Sequence, residues 1–175
     1  MACALVQGKQ LDCRDSVGGI KELYLTEFTN LTQSNITVTS GVITAFTLNS
    51  TKKFWTFQLE KENAEAIENE TSSVENGTIF YEQLVNFTMN KLNSGDRNSI
   101  RQIAQNRVLI IVLDNNGVYW LFGRQNGMDK VGANTANTGK AMGDRSGFAL
   151  AFRGLEPLSS EEVTASLIAT LRVPA

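Results

Sequence analysis

The 175-residue chain contains no histidine. The side chain most often used as a general base near neutral pH, and as a zinc ligand, is missing, so hydrolase triads built on it are excluded. Cysteine is scarce as well. Cys3 and Cys13 are the two in the chain, and their separation is neither a zinc spacing nor an oxidoreductase motif, so two free thiols are expected. No apolar run approaches the roughly 18 residues of a membrane-spanning helix. Met1 to Leu11 lacks the basic start and apolar core of a signal peptide, and a soluble protein made in the cytoplasm is expected. Charge of either sign is thin: the net is -2, with Lys and Arg scattered instead of striped. Sequence-independent attraction to nucleic acid or anionic lipid is not expected.

What the chain does have is 42% hydrophobic composition and no break in composition, enough for one domain, residues 1–175, with a core of its own. Ile20 to Phe28, Gly41 to Leu48 and Phe54 to Leu59 are rich in aromatic and β-branched residues, between Gly, Asn, Ser and Thr clusters, and read as strands. In the third, Trp55, Phe57 and Leu59 share a face with the two-residue period of a half-buried strand. Asn76-Gly77 is a tight-turn signal and introduces a long strand, Thr78 to Met89. Ile79, Tyr81, Val85, Phe87 and Met89 fall on one of its faces with only Gln83 breaking the set. At about 3.3 Å per residue, such a run outreaches the usual strand and should protrude from a small barrel.

From Asn93 to Asn106 the period changes. Ile100, Ile103 and Ala104 recur at helical spacing with a polar opposite side, and Asp96 or Ser94 is the expected N-cap. Val108 to Leu113 and Val118 to Phe122 flank Asp114-Asn115-Asn116-Gly117 as a hairpin. Neither strand alternates, so both faces want burial, one in the core and the other beneath a helix or another subunit. Ser146 to Arg153 resumes alternation with Phe148, Leu150 and Phe152 inward, and Ala165 to Leu171 is expected to add a last strand. The fold class is mainly β: an antiparallel β-sandwich or barrel with one flanking α-helix and extended loops or arms.

Between Gly123 and Gly147 lies a long segment of Gly, Asn and Thr, relieved by Met128, Val131 and Met142. Loops of this length in compact domains are working surfaces or disordered, and this one reads as an arm. Other motifs yield to plainer readings. Asp114 to Gly117 lacks the ligand ladder and closing Glu of a calcium loop. Gly139-Lys140 and Gly143-Asp144-Arg145 lack P-loop spacing. Asp12, Asp15, Asp96, Asp114, Asp129 and Asp144 show no pairing that favours acid–base catalysis. The aromatics Trp55, Phe57, Tyr81, Phe87, Trp120 and Phe122 are read as core before they are read as a stacking platform. Asn-x-Ser/Thr triplets begin at Asn30, Asn35, Asn49, Asn69, Asn76 and Asn86; without a signal peptide they are attributed to composition. The chain is read as a non-enzyme with no catalytic residue, cofactor or metal.

Three stretches carry a resemblance. They are Leu11-Asp12-Cys13-Arg14-Asp15-Ser16-Val17-Gly18-Gly19-Ile20-Lys21-Glu22, then Glu75-Asn76-Gly77-Thr78-Ile79-Phe80-Tyr81-Glu82-Gln83, and Tyr119-Trp120-Leu121-Phe122-Gly123 through Gly143-Asp144-Arg145-Ser146-Gly147-Phe148 to Gly154. These resemble small structural proteins of phages infecting Bacteroidetes hosts. With the overlong strand, flank helix and doubly apolar hairpin, the chain resembles the major tail tube protein of tailed bacteriophages. The resemblance implies a virion subunit, assembled in the bacterial host cytoplasm, that forms hexameric rings stacked into a DNA-ejection conduit. Its partners would be itself, a tape measure, a terminator, a baseplate or tip and, where there is one, a sheath. DNA would be a transient, non-specific passenger in a mildly acidic lumen, and no membrane is involved.

The resemblance further implies that sheet augmentation closes each ring. Met1 to Gly19, the N-terminal arm, and residues 123–147 would stack rings; Thr78 to Met89 and the 108–122 hairpin would form the wall. The inter-subunit contacts expected are Tyr81, Phe87, Trp120, Phe122, Met128, Val131 and Met142. The alternatives are another virion component (tail terminator, head-to-tail connector or capsid decoration protein) or a monomeric ligand-binding β-barrel.

Overall fold

The computed structural model describes residues 8–9, 13–49, 51–132 and 135–174. In chain order the strands are β1 (Ile20–Glu27), β2 (Thr37–Thr39), β3 (Val42–Ala45), β4 (Phe54–Gln58), β5 (Ala64–Ser73) and β6 (Thr78–Asn90). After helix α1 (Ser94–Gln105) come β7 (Val108–Asp114), β8 (Tyr119–Phe122), β9 (Asp129–Lys130), β10 (Thr135–Asn137), β11 (Gly147–Glu156) and β12 (Glu161–Val163). Helix α2 (Ala165–Leu171) and β13 (Arg172–Val173) follow. They form an open β-sandwich, not a closed barrel.

The first sheet runs β13-β4-β1-β7-β8-β12-β3-β2. Its middle is the doubly apolar sequence: Leu23, Tyr24 and Leu25 of β1, and all of Val108 to Leu113 in β7, are buried. Alternation sends Leu23, Leu25, Val108, Ile110 and Val112 to one face, into a core shared with Val85, Phe87, Phe148, Leu150 and Phe152 of the second sheet. Tyr24, Leu109, Ile111 and Leu113 go to the other face, into a separate core with Ile43, Phe46, Phe54, Leu121, Val163 and Ile168. Each such side chain contributes about 1.5–3 kcal/mol by leaving water. The chain itself, through α2 and the segment from Leu31 to Leu48, covers the second face of the hairpin, and no other subunit is required for that.

The second sheet runs β10-β11-β6-β5, with β9 also on β11. The long strand is there: β6 has 13 residues, and the Asn76-Gly77 turn is closed by Gly77 at φ 61. Strand β11 accompanies β6 only from Tyr81 to Asn90. The outer end of the β5–β6 hairpin therefore extends past the sandwich, with Ile79, Phe80 and Val74 exposed. Gln83, the polar break on the buried face, is buried with both ends of its amide used: Oε1 accepts the Gly123 N–H at 2.8 Å and Nε2 donates to Glu68 at 2.9 Å.

Several expectations are corrected. Ala165 to Leu171 is helix α2, because Leu167, Ile168 and Leu171 meet the second core at helical spacing. The α1 N-cap is Asn93, whose side chain accepts the Asp96 N–H, so neither Asp96 nor Ser94 holds that position. The sheets are not wholly antiparallel: β12 runs parallel to β3 and β13 parallel to β4. On β4 the fully buried aromatic is Phe54, while Trp55 is 63% exposed. Phe57 packs against the first core, but Trp55, on the same face, lies beyond the second sheet's cover and borders a groove.

Candidate assembly surfaces

The most open backbone in the fold is the edge of β5. Its ten residues pair with β6 on one side, Ala64 with Phe87 through to Ser73 with Thr78. Among the described residues no strand pairs with the other side. The segment around it is acidic, with Glu62, Glu65, Glu68, Glu70 and Glu75. At the opposite edge of the same sheet, β9 and β10 lie along β11, and Lys130, Lys140 and Arg145 accompany them together with Asp129 and Asp144. Burial lowers the Lys130 amine below its ordinary value. The outer sheet face carries Ile67 opposite Leu84 and Leu84 opposite Arg153; Arg153 pairs with Glu82. Ile67 and Leu155 are exposed there.

The described residues of the 123–147 segment are tied back to the sandwich at several points. Gly123 takes φ 76 and Gly127 φ 78, which turns the chain so that Met128 enters the core and its backbone exchanges hydrogen bonds with Val108 at 2.8 and 2.9 Å. Glu156 fastens this turn. Only 2% exposed, its carboxylate accepts the Gln125 N–H at 2.9 Å and the Asn126 N–H at 2.8 Å. Burial raises its pKa, opposed by these amide N–H groups and by the Arg124 charge. Arg124 itself pairs with Glu161. Farther along, the Asp144 carboxylate accepts the Lys140 and Ala141 N–H groups at 2.8 Å each, and these bonds lower its pKa. The amides that a phosphate would need are thus already bound to a carboxylate.

The 114–117 turn is similarly committed. Asp114 accepts the Asn116 and Val118 N–H groups, each at 2.9 Å. The Asn116 side chain grips Val17, accepting its N–H at 2.8 Å and donating to its carbonyl at 2.9 Å, while Asn115 Nδ2 donates to the Gly18 carbonyl at 2.7 Å. Side-chain amides thereby tie residues 17–18 of the expected N-terminal arm to a hairpin turn. Residues 1–7 and 10–12 of that arm, Cys3 included, lie outside the described residues, as do 133 and 134 of the long segment; Cys13 is exposed. Asn30, one of the triplet asparagines, is buried and donates to Thr26.

Of the expected contact residues, Phe87, Phe122 and Met128 are inside the first core. They are unavailable to another subunit in this fold, because their alternating neighbours and the Gly127 turn direct them inward. Trp120 packs at the margin of that core with its indole N–H toward Asp114 at 3.4 Å. Tyr81 is half-buried near Glu70, Val131 is half-buried with its N–H on the Ala151 carbonyl, and Met142 is fully exposed. The 108–122 hairpin sits mid-sheet with both faces covered, so it offers no wall to a neighbour. Comparison with protein-family models, curated proteins and solved structures finds no match to this chain.

The sequence does not indicate Glu156, nor the bonds that Gln83, Asn115 and Asn116 make to distant backbone. A polar residue breaking an apolar face is a signal for Gln83; an acid closing an alternating strand is a fainter one for Glu156. A groove of about 570 Å³ also opens between α1 and the first sheet, lined by Trp55, Phe57, Ile100 and Ile103 with Lys52 and Lys53 beside it. Among the described residues no three His, Cys, Asp or Glu side chains come together as a metal site, and no helix is long and apolar enough to cross a membrane.

Proposed function

We propose that the chain is a virion structural protein, a tail tube subunit that assembles into stacked hexameric rings forming a conduit for DNA. The observation that carries this reading is the ten-residue β5 edge, acidic and open on a sheet whose opposite edge carries Lys130, Lys140 and Arg145 beside Asp129 and Asp144. A long unpaired edge is a template for another strand unless it is covered or blunted. Pairing β5 with its own copy gathers the exposed Glu65 and Glu70 of both copies along one seam, which like charges disfavour. Pairing it with the β9–β10 edge of a neighbour relieves that repulsion and offers Lys130, Lys140 and Arg145 to the β5 acids. That contact is heterologous, and a heterologous contact generates a ring where its rotation closes. Met142 and the hairpin end at Val74 remain as exposed apolar groups for contacts between rings. Phe87, Phe122 and Met128 have no part in them.

A second reading, a monomeric binding module, draws on the Trp55 groove. Light scattering and negative-stain images separate the two: the tube reading expects rings or tubes as concentration rises. A chain that stays monomeric at high concentration, even with tail initiation proteins present, overturns it. The double variant Glu65→Lys, Glu70→Lys should abolish assembly, and the added change Lys140→Glu, Arg145→Glu should restore part of it.

A further inference from the structure

The chain's Asn-Gly pairs, Asn76-Gly77, Asn116-Gly117 and Asn126-Gly127, share one local chemistry and occupy three different surroundings. Glycine has no Cβ to shield its own amide nitrogen, so attack by that nitrogen on the preceding Asn side chain is sterically open at all three once the chain is unfolded. In the fold, Asn116 is held at both side-chain atoms by Val17, and the Gly117 N–H donates to the Asp114 carbonyl at 3.2 Å. Asn126 donates through Nδ2 to the Leu155 carbonyl at 2.6 Å and through its N–H to Glu156, while the Gly127 N–H donates to the Gly123 carbonyl at 3.1 Å. Asn76 differs. It is exposed at the hairpin turn, and only its backbone N–H is engaged, with Ser73 Oγ at 3.3 Å. Neither its side chain nor the Gly77 N–H has a hydrogen-bond partner among the described residues, and the space around Gly77 is open.

We infer that Asn76 is a site of spontaneous deamidation in the folded protein, and that Asn116 and Asn126 are protected from it by their hydrogen bonds. The Gly77 nitrogen gives its proton to a solvent base and bonds to Asn76 Cγ. The Cγ–Nδ2 bond breaks, and Nδ2 takes a proton from water and leaves as ammonia. Water then opens the five-membered imide at either carbonyl, giving aspartate or isoaspartate; no oxidant or reductant takes part. Either product adds a carboxylate beside Glu75 on a hairpin already bearing Glu65, Glu68 and Glu70. The isoaspartate also lengthens the main chain within the turn, which loosens the Ser73–Thr78 register. The inference is independent of the tail tube reading.

The test is to hold the folded protein at mildly alkaline pH, digest it and follow by mass spectrometry the exchange of NH for O in each Asn-Gly peptide. Asn76 should convert about tenfold or more faster than Asn116 and Asn126, the factor set by the hydrogen bonds that the latter two must first break. In concentrated urea the three rates should converge. Equal rates in the folded protein, or an Asn76 that converts in urea and not in the fold, overturn the inference. Asn76→Ser should remove the acidic species that accumulates on isoelectric focusing, and its persistence in that variant overturns the assignment to Asn76.

Discussion

The two sheets of the sandwich use the same period-two pattern to opposite ends. In the first, β1 and β7 are apolar on both faces, and the chain supplies a cover for each: the second sheet on one side, α2 and the segment from Leu31 to Leu48 on the other. In the second, β6 and β11 are apolar toward the shared core, and their outer face, with Ile67, Glu82, Leu84, Arg153 and Leu155, is left without a second layer of the described chain. Continuous apolarity marks the sheet that the subunit completes by itself. Both sheets are open, but the first ends in the short strands β13 and β2, whereas the alternating sheet ends in the ten-residue β5, and it is there that association has the most backbone to work with.

Substitution can break this contrast. The largest loss of stability is expected at Ile111→Ala, about 2–5 kcal/mol, because Ile111 is fully buried beneath the chain's own cover and its removal leaves a cavity. Urea denaturation measures it; a cost below 1 kcal/mol, by the same cavity argument, would mean that the second core is loosely packed. Glu156→Gln should cost about 1–3 kcal/mol, since an amide brings N–H groups among donors that need an acceptor. Amide hydrogen exchange at Gln125 and Asn126 should rise with it, and unchanged protection there would remove Glu156 as the fastener of the turn.

A smaller effect concerns pH. Burial raises the Glu156 pKa above the ordinary 4.5, so the fold disfavours its ionised form. Its contribution is fully present below that ordinary value and is lost as pH rises through the higher folded-state value. The stability of the wild type relative to Glu156→Gln should therefore fall across that window, and a rise would reverse the assigned sign. Least of all, Ile67→Ala on the outer face should move stability by no more than about 0.5 kcal/mol while weakening any assembly through that face. A large loss of monomer stability would show instead that the face is already covered.

The same contrast explains what could be read in advance. The β6 strand, its Asn76-Gly77 turn, helix α1 and the β7–β8 hairpin were legible because each has a period, a break or a turn residue written locally. The covering of the hairpin was not, since apolarity on both faces asks for two partners without naming them. The α2 sequence reads as a strand because Ile168 and Thr170 are β-branched and seven residues hold too few turns to establish a helical period. The exposure of Trp55 is not legible, because alternation separates two faces and does not say how far along either one the cover extends. In the 123–147 segment the glycines were visible, but what they permit depends on a carboxylate from Glu156, beyond the segment itself.

The pairing order bears on how the molecule is made. Strand β1 lies between β4 and β7, and β7 begins only at Val108. The sheet is not finished until β12 and β13, near the end of the chain, have joined β3 and β4. During synthesis the most apolar early strand must wait, unpaired on one side, for residues made much later, and contacts between distant parts of a chain form slowly. The hairpin of β5 and β6, by contrast, joins neighbours in sequence and can form as soon as it emerges. The part of the subunit with the open edge is therefore ready before the part that gives the subunit its stability, so premature association is a hazard that the acidic side chains of β5 help to restrain.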